Sequence, residues 1–337
     1  MTKKAGGMDM LRDEVLALLR EREGEPLSGE AMSRALGVSR AAVWKAMEAL
    51  RQEGYEISSA PRKGYWLEGS PDRLSPGELA RPGRMVGREL VCLDRVDSTN
   101  NEIKRRAVGE AADGLAVVAG EQTGGRGRRG RSFVSPPGKG LYLSVLLRPN
   151  CPLAEVPTLT AWSAVAVCDA VEEVCGVRPG IKWPNDVILE GRKLCGILTE
   201  LELEAETAAL RYVVVGIGVN ISQTEADFGP EVAPVAVSLA QALGKAPRRA
   251  EVARALLDSL DRLYGDFPRQ RENWLARYRA DCLTVGRPIR VISGTGEREG
   301  TALGVEEDFS LRVAWKDGGE EVVSSGEVSV RGLLGYV

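Results

Sequence analysis

The chain has 337 residues, 43% of them hydrophobic and 28% charged, with a formal net charge of −3. That length supports two or three domains with their own cores, and the charge excludes general electrostatic binding of nucleic acid by the whole molecule. There is no histidine, which removes histidine triads, histidine general bases and histidine metal ligands together, so chemistry must come from Lys, Arg, carboxylates, backbone N–H groups or a carboxylate-bound ion such as Mg²⁺.

The six cysteines, at 92, 151, 168, 175, 195 and 282, contain no Cys-x-x-Cys spacing, and Cys168 and Cys175 read as buried thiols of an apolar helix. No apolar stretch approaches the roughly 18 uncharged residues of a membrane span. Lys3 and Lys4 are not followed by the apolar run of a secretory signal. A cytoplasmic protein without a membrane partner is expected.

Residues 8–70 are expected to form three helices and a hairpin. Leu11, Val15, Leu18 and Leu19 recur at helical spacing. Ser28 is the expected cap of a second helix, with Leu27 packed back on Met32, and Gly37 ends it. Ser39 caps the third, with Val38 packed on Val43, and Gly54 stops it. Strand-like runs at 55–59 and 64–68 then flank the turn Ala60-Pro-Arg-Lys-Gly64. Two capped helices joined by Gly37-Val38 and followed by a hairpin describe a winged helix-turn-helix. It would aim Ser39, Arg40, Trp44 and Lys45 at a DNA major groove, with Arg62 and Lys63 on the wing. Residues 1–70 hold 11 Lys/Arg and 11 Asp/Glu, so phosphate attraction alone is weak and DNA binding needs a dimer or a ligand-induced arrangement. The alternative is a small helical interaction module.

Pro and Gly punctuate a linker zone from Ser70 to Arg84. Beyond it, strands are expected at 90–93, 115–121, 141–147, 187–189, 194–201 and 212–217, and helices near 100–108, 153–175, 238–243 and 249–264. The short links favour an antiparallel or mixed sheet with helices on one face. After Cys282, short strands alternate with glycine turns in a small β module. The expected class is α+β multidomain, divided at 1–70, 71–281 and 282–337.

Three segments carry chemistry. Glu121-Gln-Thr-Gly-Gly-Arg-Gly-Arg-Arg-Gly-Arg131 combines glycines that let backbone approach a ligand with guanidiniums that bind phosphate or carboxylate. Read alone, it also fits an RGG-like nucleic-acid tail. In Lys182-Trp-Pro-Asn-Asp…Arg192-Lys-Leu-Cys-Gly-Ile-Leu198, Glu190-Gly191 can close a two-residue hairpin. Ile188 then faces Lys193 and Asp186 faces Cys195, which puts Asp186 and Lys193 on one face, either in a site or as a solvated ion pair. In Asp97-Ser-Thr-Asn-Asn-Glu102, Thr99 and Glu102 form an expected capping box at a helix start.

Together with Gly216-Ile-Gly-Val-Asn220, the winged helix in front and Gly326-Glu-Val-Ser-Val-Arg331 behind, this ordered set resembles the biotin protein ligases, and specifically the bifunctional biotin ligase and biotin-operon repressor family. The resemblance implies that Ser98, Thr99, Asn100, Gln122, Arg126, Gly127, Arg128, Lys193 and Gly196 bind biotin. It implies that Arg126, Arg128, Arg129, Arg131, Asn185, Asp186, Gly218 and Asn220 meet ATP or the adenylate. Lys193, Arg128 and Asp186 would be catalytic, with Asp186 also near Mg²⁺. Where family members often carry an aromatic beside the nucleotide, this chain has Val235-Ala-Val237, and Phe228 is the nearby aromatic. The implied reaction forms biotinyl-5′-AMP from biotin and ATP, then transfers biotin to a lysine of a biotin carboxyl carrier protein. The same resemblance implies an SH3-like β-barrel at the C-terminus, a homodimer when adenylate is bound, and operator DNA as partner. A lipoate-type ligase and a non-enzymatic ligand-sensing regulator are the rival readings.

Overall fold

Apolar residues at helical spacing and two serine caps build the front of the molecule from α1 (Lys3–Glu21), α2 (Gly29–Leu36) and α3 (Arg40–Gln52). The computed structural model describes residues 3–22, 24–109, 111–294, 296–324 and 329–332, in two units, Met1–Gly83 and Arg84–Val337. Ser28 and Ser39 accept from the N–H groups of Ala31 and Ala42, and Gly37 ends α2 in the left-handed conformation, as their sequence positions require. Val15, Leu16, Leu19, Met32, Val43, Met47 and Leu50 form the core beneath. The wing is β1 (Glu56–Ala60) paired with β2 (Gly64–Gly69). Leu27 joins it by exchanging backbone hydrogen bonds with Tyr65. Gly64 makes that approach possible, since a Cβ there would lie 2.4 Å from the Leu27 carbonyl oxygen.

The expected linker is partly structured. Ser75 caps α4 (Pro76–Leu79), which packs on α1 with Glu78 and Leu79 fully buried. Arg20 pairs with Glu78 at 2.5 Å and donates to Ser70 Oγ at 2.6 Å. Burial and the neighbouring Glu78 carboxylate push the Tyr55 hydroxyl pKa upward.

The second unit begins with Arg84 paired to Asp258 at 3.1 Å, while Asp261 accepts from the N–H groups of Met85 and Val86. Its sheet contains β3 (Leu90–Leu93), β4 (Ala116–Ala119), β5 (Gly140–Leu147), β6 (Gly180–Lys182), β7 (Asp186–Leu189), β8 (Arg192–Leu203) and β9 (Leu210–Asn220). The order is β3-β4-β5-β9-β8-β7-β6. Among its described strand pairs, β3–β4 is parallel and the others are antiparallel, so the sheet is mixed as expected.

Helices cover both faces of this sheet rather than the one expected. On β5, Ser144 contacts Thr99 and Asn100 of α5 (Thr99–Val108). On β8, Thr199 bonds to Thr160 of α6 (Thr158–Cys175) at 2.7 Å. Ser144 pairs with Gly216 and Thr199 with Val215, and neighbours along a strand point to opposite faces. The α5 side carries the cleft described below. The α6 side is closed by α9 (Arg249–Asp266) and α10 (Arg271–Asp281), with α6 packed on both. Two short helices, α7 (Glu225–Phe228) and α8 (Leu239–Leu243), follow β9.

The C-terminal module is β10 (Pro288–Ser293), β11 (Gly296–Val305), β12 (Leu311–Trp315), β13 (Glu320–Val323) and β14 (Ser329–Gly332), all antiparallel in the order β13-β12-β11-β10-β14. Among the described residues this sheet is open at β13 and β14, not closed as a barrel. Residues 326–328 of the C-terminal motif lie outside the described residues. Among the described residues no helix is long and apolar enough to cross a membrane.

Candidate active site

The hairpin joining β7 and β8 turns at Glu190 and Gly191, both at positive φ, the conformation of a two-residue primed turn. Ile188 faces Lys193 as expected, but a bulge follows, and Asp186 faces Gly196 rather than Cys195. An extra residue in β8 shifts the register by one, and bulges characteristically re-aim side chains. Lys193 Nζ reaches Asp186 Oδ1 at 2.6 Å, a direct pair where flat pairing gave only a diagonal one.

Ahead of β7, the Trp183-Pro184 turn is held from two sides. Trp183 donates from its backbone to Thr284 Oγ1 and from its indole to the Phe309 carbonyl, and Tyr278 donates to the Pro184 carbonyl. That clamp places Asn185, whose Nδ2 donates to the Ile197 carbonyl at 2.8 Å while its Oδ1 accepts from Arg128 at 3.1 Å. Lys182 is buried beside them. Burial pushes its pKa down to about 8, against the opposing pull of Asp186. Burial likewise lowers the Arg128 pKa, with Asp186 opposing.

The floor is polar and internally bonded. Gln122 Oε1 accepts from the Thr99 backbone at 2.9 Å and hydroxyl at 3.1 Å, and its Nε2 donates to Ser135. The expected capping box is therefore absent. Ser98 is the cap residue without a side-chain bond, Gln122 takes the Thr99 N–H, and Glu102 pairs with Arg105 and Arg106. Ser144 donates to Asn100 Oδ1 at 2.6 Å, and Asn100 Nδ2 donates to Glu200 Oε2 at 2.7 Å. Glycines on β8 and β9 keep this floor open. A Cβ on Gly216 would fall 2.1 Å from Asn100 Oδ1, and one on Gly218 would fall 2.6 Å from the Phe133 ring.

The arginine loop is tied to three different elements. Arg126 donates to Asn101 at 2.6 Å, Arg128 to Asn185, and Arg129 to the Ile292 carbonyl of β10 at 3.1 Å. The cleft has a volume of about 750 Å³. Ser98, Thr99, Asn100, Gln122, Gly127, Lys193, Gly196 and Gly218 line it, as do Arg126, Arg128, Arg129, Arg131, Asn185 and Asp186. Asn220 is the exception. It is buried behind the cleft, donating to the carbonyls of Lys193 and Val237. Val235 lines the cleft, whereas Phe228 is buried outside it. Lys182, Phe133 and Arg331 also line it and were not singled out from sequence. Lys182 heads one motif that was and Arg331 ends another, so their places could have been read.

The residues expected at a DNA groove, Ser39, Arg40, Trp44, Lys45, Arg62 and Lys63, are all exposed, at the start of α3 and the tip of the wing. Trp44 is 52% exposed.

Comparison with known proteins agrees at both ends. A family profile described as Biotin/lipoate A/B protein ligase family matches residues 92–220, and one described as HTH domain matches residues 12–66. The bifunctional ligase/repressor BirA of Bacillus subtilis is 37% identical over 318 residues, covering 94% of this chain and 97% of that protein. The chain belongs to the bifunctional biotin ligase/repressor family. A second member, from Escherichia coli, is 31% identical and covers 94% of this chain and 96% of its own. Within the biotin ligases of known structure, the Aquifex aeolicus enzyme in complex with biotin and ATP matches with a TM-score of 0.62 and 30% identity, over 73% of this chain and 99% of that one.

Proposed function

We propose that the chain, a biotin protein ligase with a helix-turn-helix repressor domain, performs both half-reactions in the cleft beneath the arginine loop. The observation that carries this reading is the convergence of Lys193, Asp186, Arg128 and the Thr99–Gln122 floor in one cleft. In the first step a biotin carboxylate oxygen attacks the α-phosphorus of ATP, and pyrophosphate leaves. In the second, an acceptor lysine amine attacks the acyl carbon of biotinyl-5′-AMP and AMP leaves, the amine losing a proton as the amide forms. Neither step needs a covalent enzyme intermediate, which suits a chain without histidine.

The demands are electrostatic. Thr99, Asn100, Gln122 and Gly127 present hydrogen-bonding groups suited to the polar end of biotin. Lys193 is suited to the biotin carboxylate and then to the carbonyl oxygen as it gains charge. Arg126, Arg128, Arg129 and Arg131, with Asn185, suit the phosphates. Among the described residues no group of three or more Cys, Asp or Glu could hold a metal. Mg²⁺ therefore fits as a companion of the nucleotide's phosphates, partly held by Asp186, and when bound it supplies charge neutralisation there. Asn220 acts by holding the strand that carries Lys193.

The repressor half of the proposal places α3 in the major groove of operator DNA, with adenylate-dependent homodimerisation bringing two copies onto paired half-sites. The balanced charge of residues 1–70 supports that dependence. ATP as substrate and DNA as partner support a cytoplasmic location. The test is incubation of the purified protein with biotin, ATP, Mg²⁺ and a biotin carrier domain, with lipoate as competitor. A mass gain of one biotinyl group on one acceptor lysine, unaffected by lipoate, is expected. No mass gain, or transfer of lipoate instead, overturns the reading.

A further inference from the structure

One carboxylate joins two parts of the site that lie far apart in sequence. Glu200 stands on β8 on the same face as Gly196 and Leu198, following strand alternation. Its Oε2 accepts from Asn100 Nδ2 at 2.7 Å and its Oε1 from Lys104 Nζ at 2.7 Å. Arg126 NH2 lies 3.4 Å from each oxygen. Asn100 belongs to the floor, where it meets Ser144 and the bare Cα of Gly216. Arg126 belongs to the loop at the rim.

Among the described residues the bonds of Arg126 within the protein all use NH2, toward Asn101 and Glu200. Among the described residues Nε and NH1 have no such bond, and Arg126 lines the cleft. Glu200 thus grips the back of the guanidinium and leaves its front for an anionic ligand. We infer that Glu200 is a positioning residue, orienting Asn100 in the floor and holding Arg126 so that the arginine loop retains the acyl-adenylate. The inference rests on the ligase reading of the cleft.

Glutamine at 200 keeps an acceptor for Asn100 but removes the charge that holds Arg126; alanine removes both. The experiment preforms biotinyl-5′-AMP on the full chain and follows its release, alongside the KM for biotin and thermal melting. Glu200→Gln and Arg126→Gln are each expected to speed release about tenfold, and the double variant no more than the faster single one, since coupled neighbours are non-additive. Glu200→Ala, but not Glu200→Gln, should also raise the KM for biotin. Lys104→Gln leaves Arg126 as the cation on Glu200 and should not speed release. Wild-type retention in Glu200→Gln, additive effects in the double variant, or equal acceleration by Lys104→Gln overturns the positioning role alone. A wild-type protein that forms no adenylate overturns the ligase reading itself and the inference with it.

Discussion

On α3 and the wing, Arg40, Lys45, Arg62 and Lys63 are exposed, and among the described residues no ion pair or side-chain hydrogen bond holds them. In the cleft, Arg126, Arg128 and Arg129 are each held by a group of the chain itself. On the proposed reading, the same residue type serves two kinds of recognition. Charge that develops at one atom during a reaction is best met by donors already in place. A duplex is met by side chains that settle onto phosphates and base edges on contact, with the fold supplying only the angle of the helix. Preorganisation is concentrated where chemistry occurs.

The largest expected effect tests the preorganised side. Lys193→Ala should lower biotin transfer by about 10²-fold or more, the cost of removing one donor to a developing oxyanion. Melting should change little, because a partly exposed ion pair contributes at most about 1 kcal/mol; transfer within a few-fold of wild type would break the comparison. Next, Gly216→Ala sets a methyl group against Asn100 and should raise the KM for biotin about tenfold or more through overpacking. Steady-state kinetics showing an unchanged KM would mean that the floor yields.

On the unheld side, Arg40→Ala and Lys45→Ala should each weaken operator binding about tenfold, the scale of one base or phosphate contact, with ligation unaffected. Gel shifts beside ligation assays check both. The smallest effect is a pH dependence. Burial holds the Lys182 pKa at about 8, so the amine is charged below that pH and neutral above it. The KM for ATP should therefore rise a few-fold between about pH 7 and 9, and Lys182→Met should flatten that rise. A profile unchanged by the substitution would remove Lys182 from the nucleotide's surroundings.

How legible these two regions were follows from the range of the interactions that build them. The winged helix is written locally: Ser28, Gly37 and Ser39 each act within one helical turn. In the cleft, alternation was enough to put Asp186 and Lys193 on one face, but the bulge that brings them together depends on pairing along the whole of β8. The Thr99 cap was misread because its competitor, Gln122, sits 23 residues away. Asn220 was assigned to the adenylate because its motif ends there, whereas its amide is occupied by backbone carbonyls. Helix α10 escaped because its apolar face reduces to Trp274, Leu275 and Tyr278 in a run of charges. Glu200 gave no local signal, since its partners lie about a hundred residues away.

The Arg20–Glu78 pair bears on where the molecule can be divided. A fragment ending at residue 70 would retain Arg20 but lose Glu78 and the rest of α4, whose buried Leu79 covers α1, so that face of the helix would be bared to water. Losing the burial of Leu79 costs about 1.5–3 kcal/mol, a sizeable share of the roughly 5–15 kcal/mol that holds a small domain folded. The fragment should melt early or fail to accumulate, while one ending at Gly83 keeps the pair and should be the shortest piece that can be isolated, titrated with operator and compared with the whole chain.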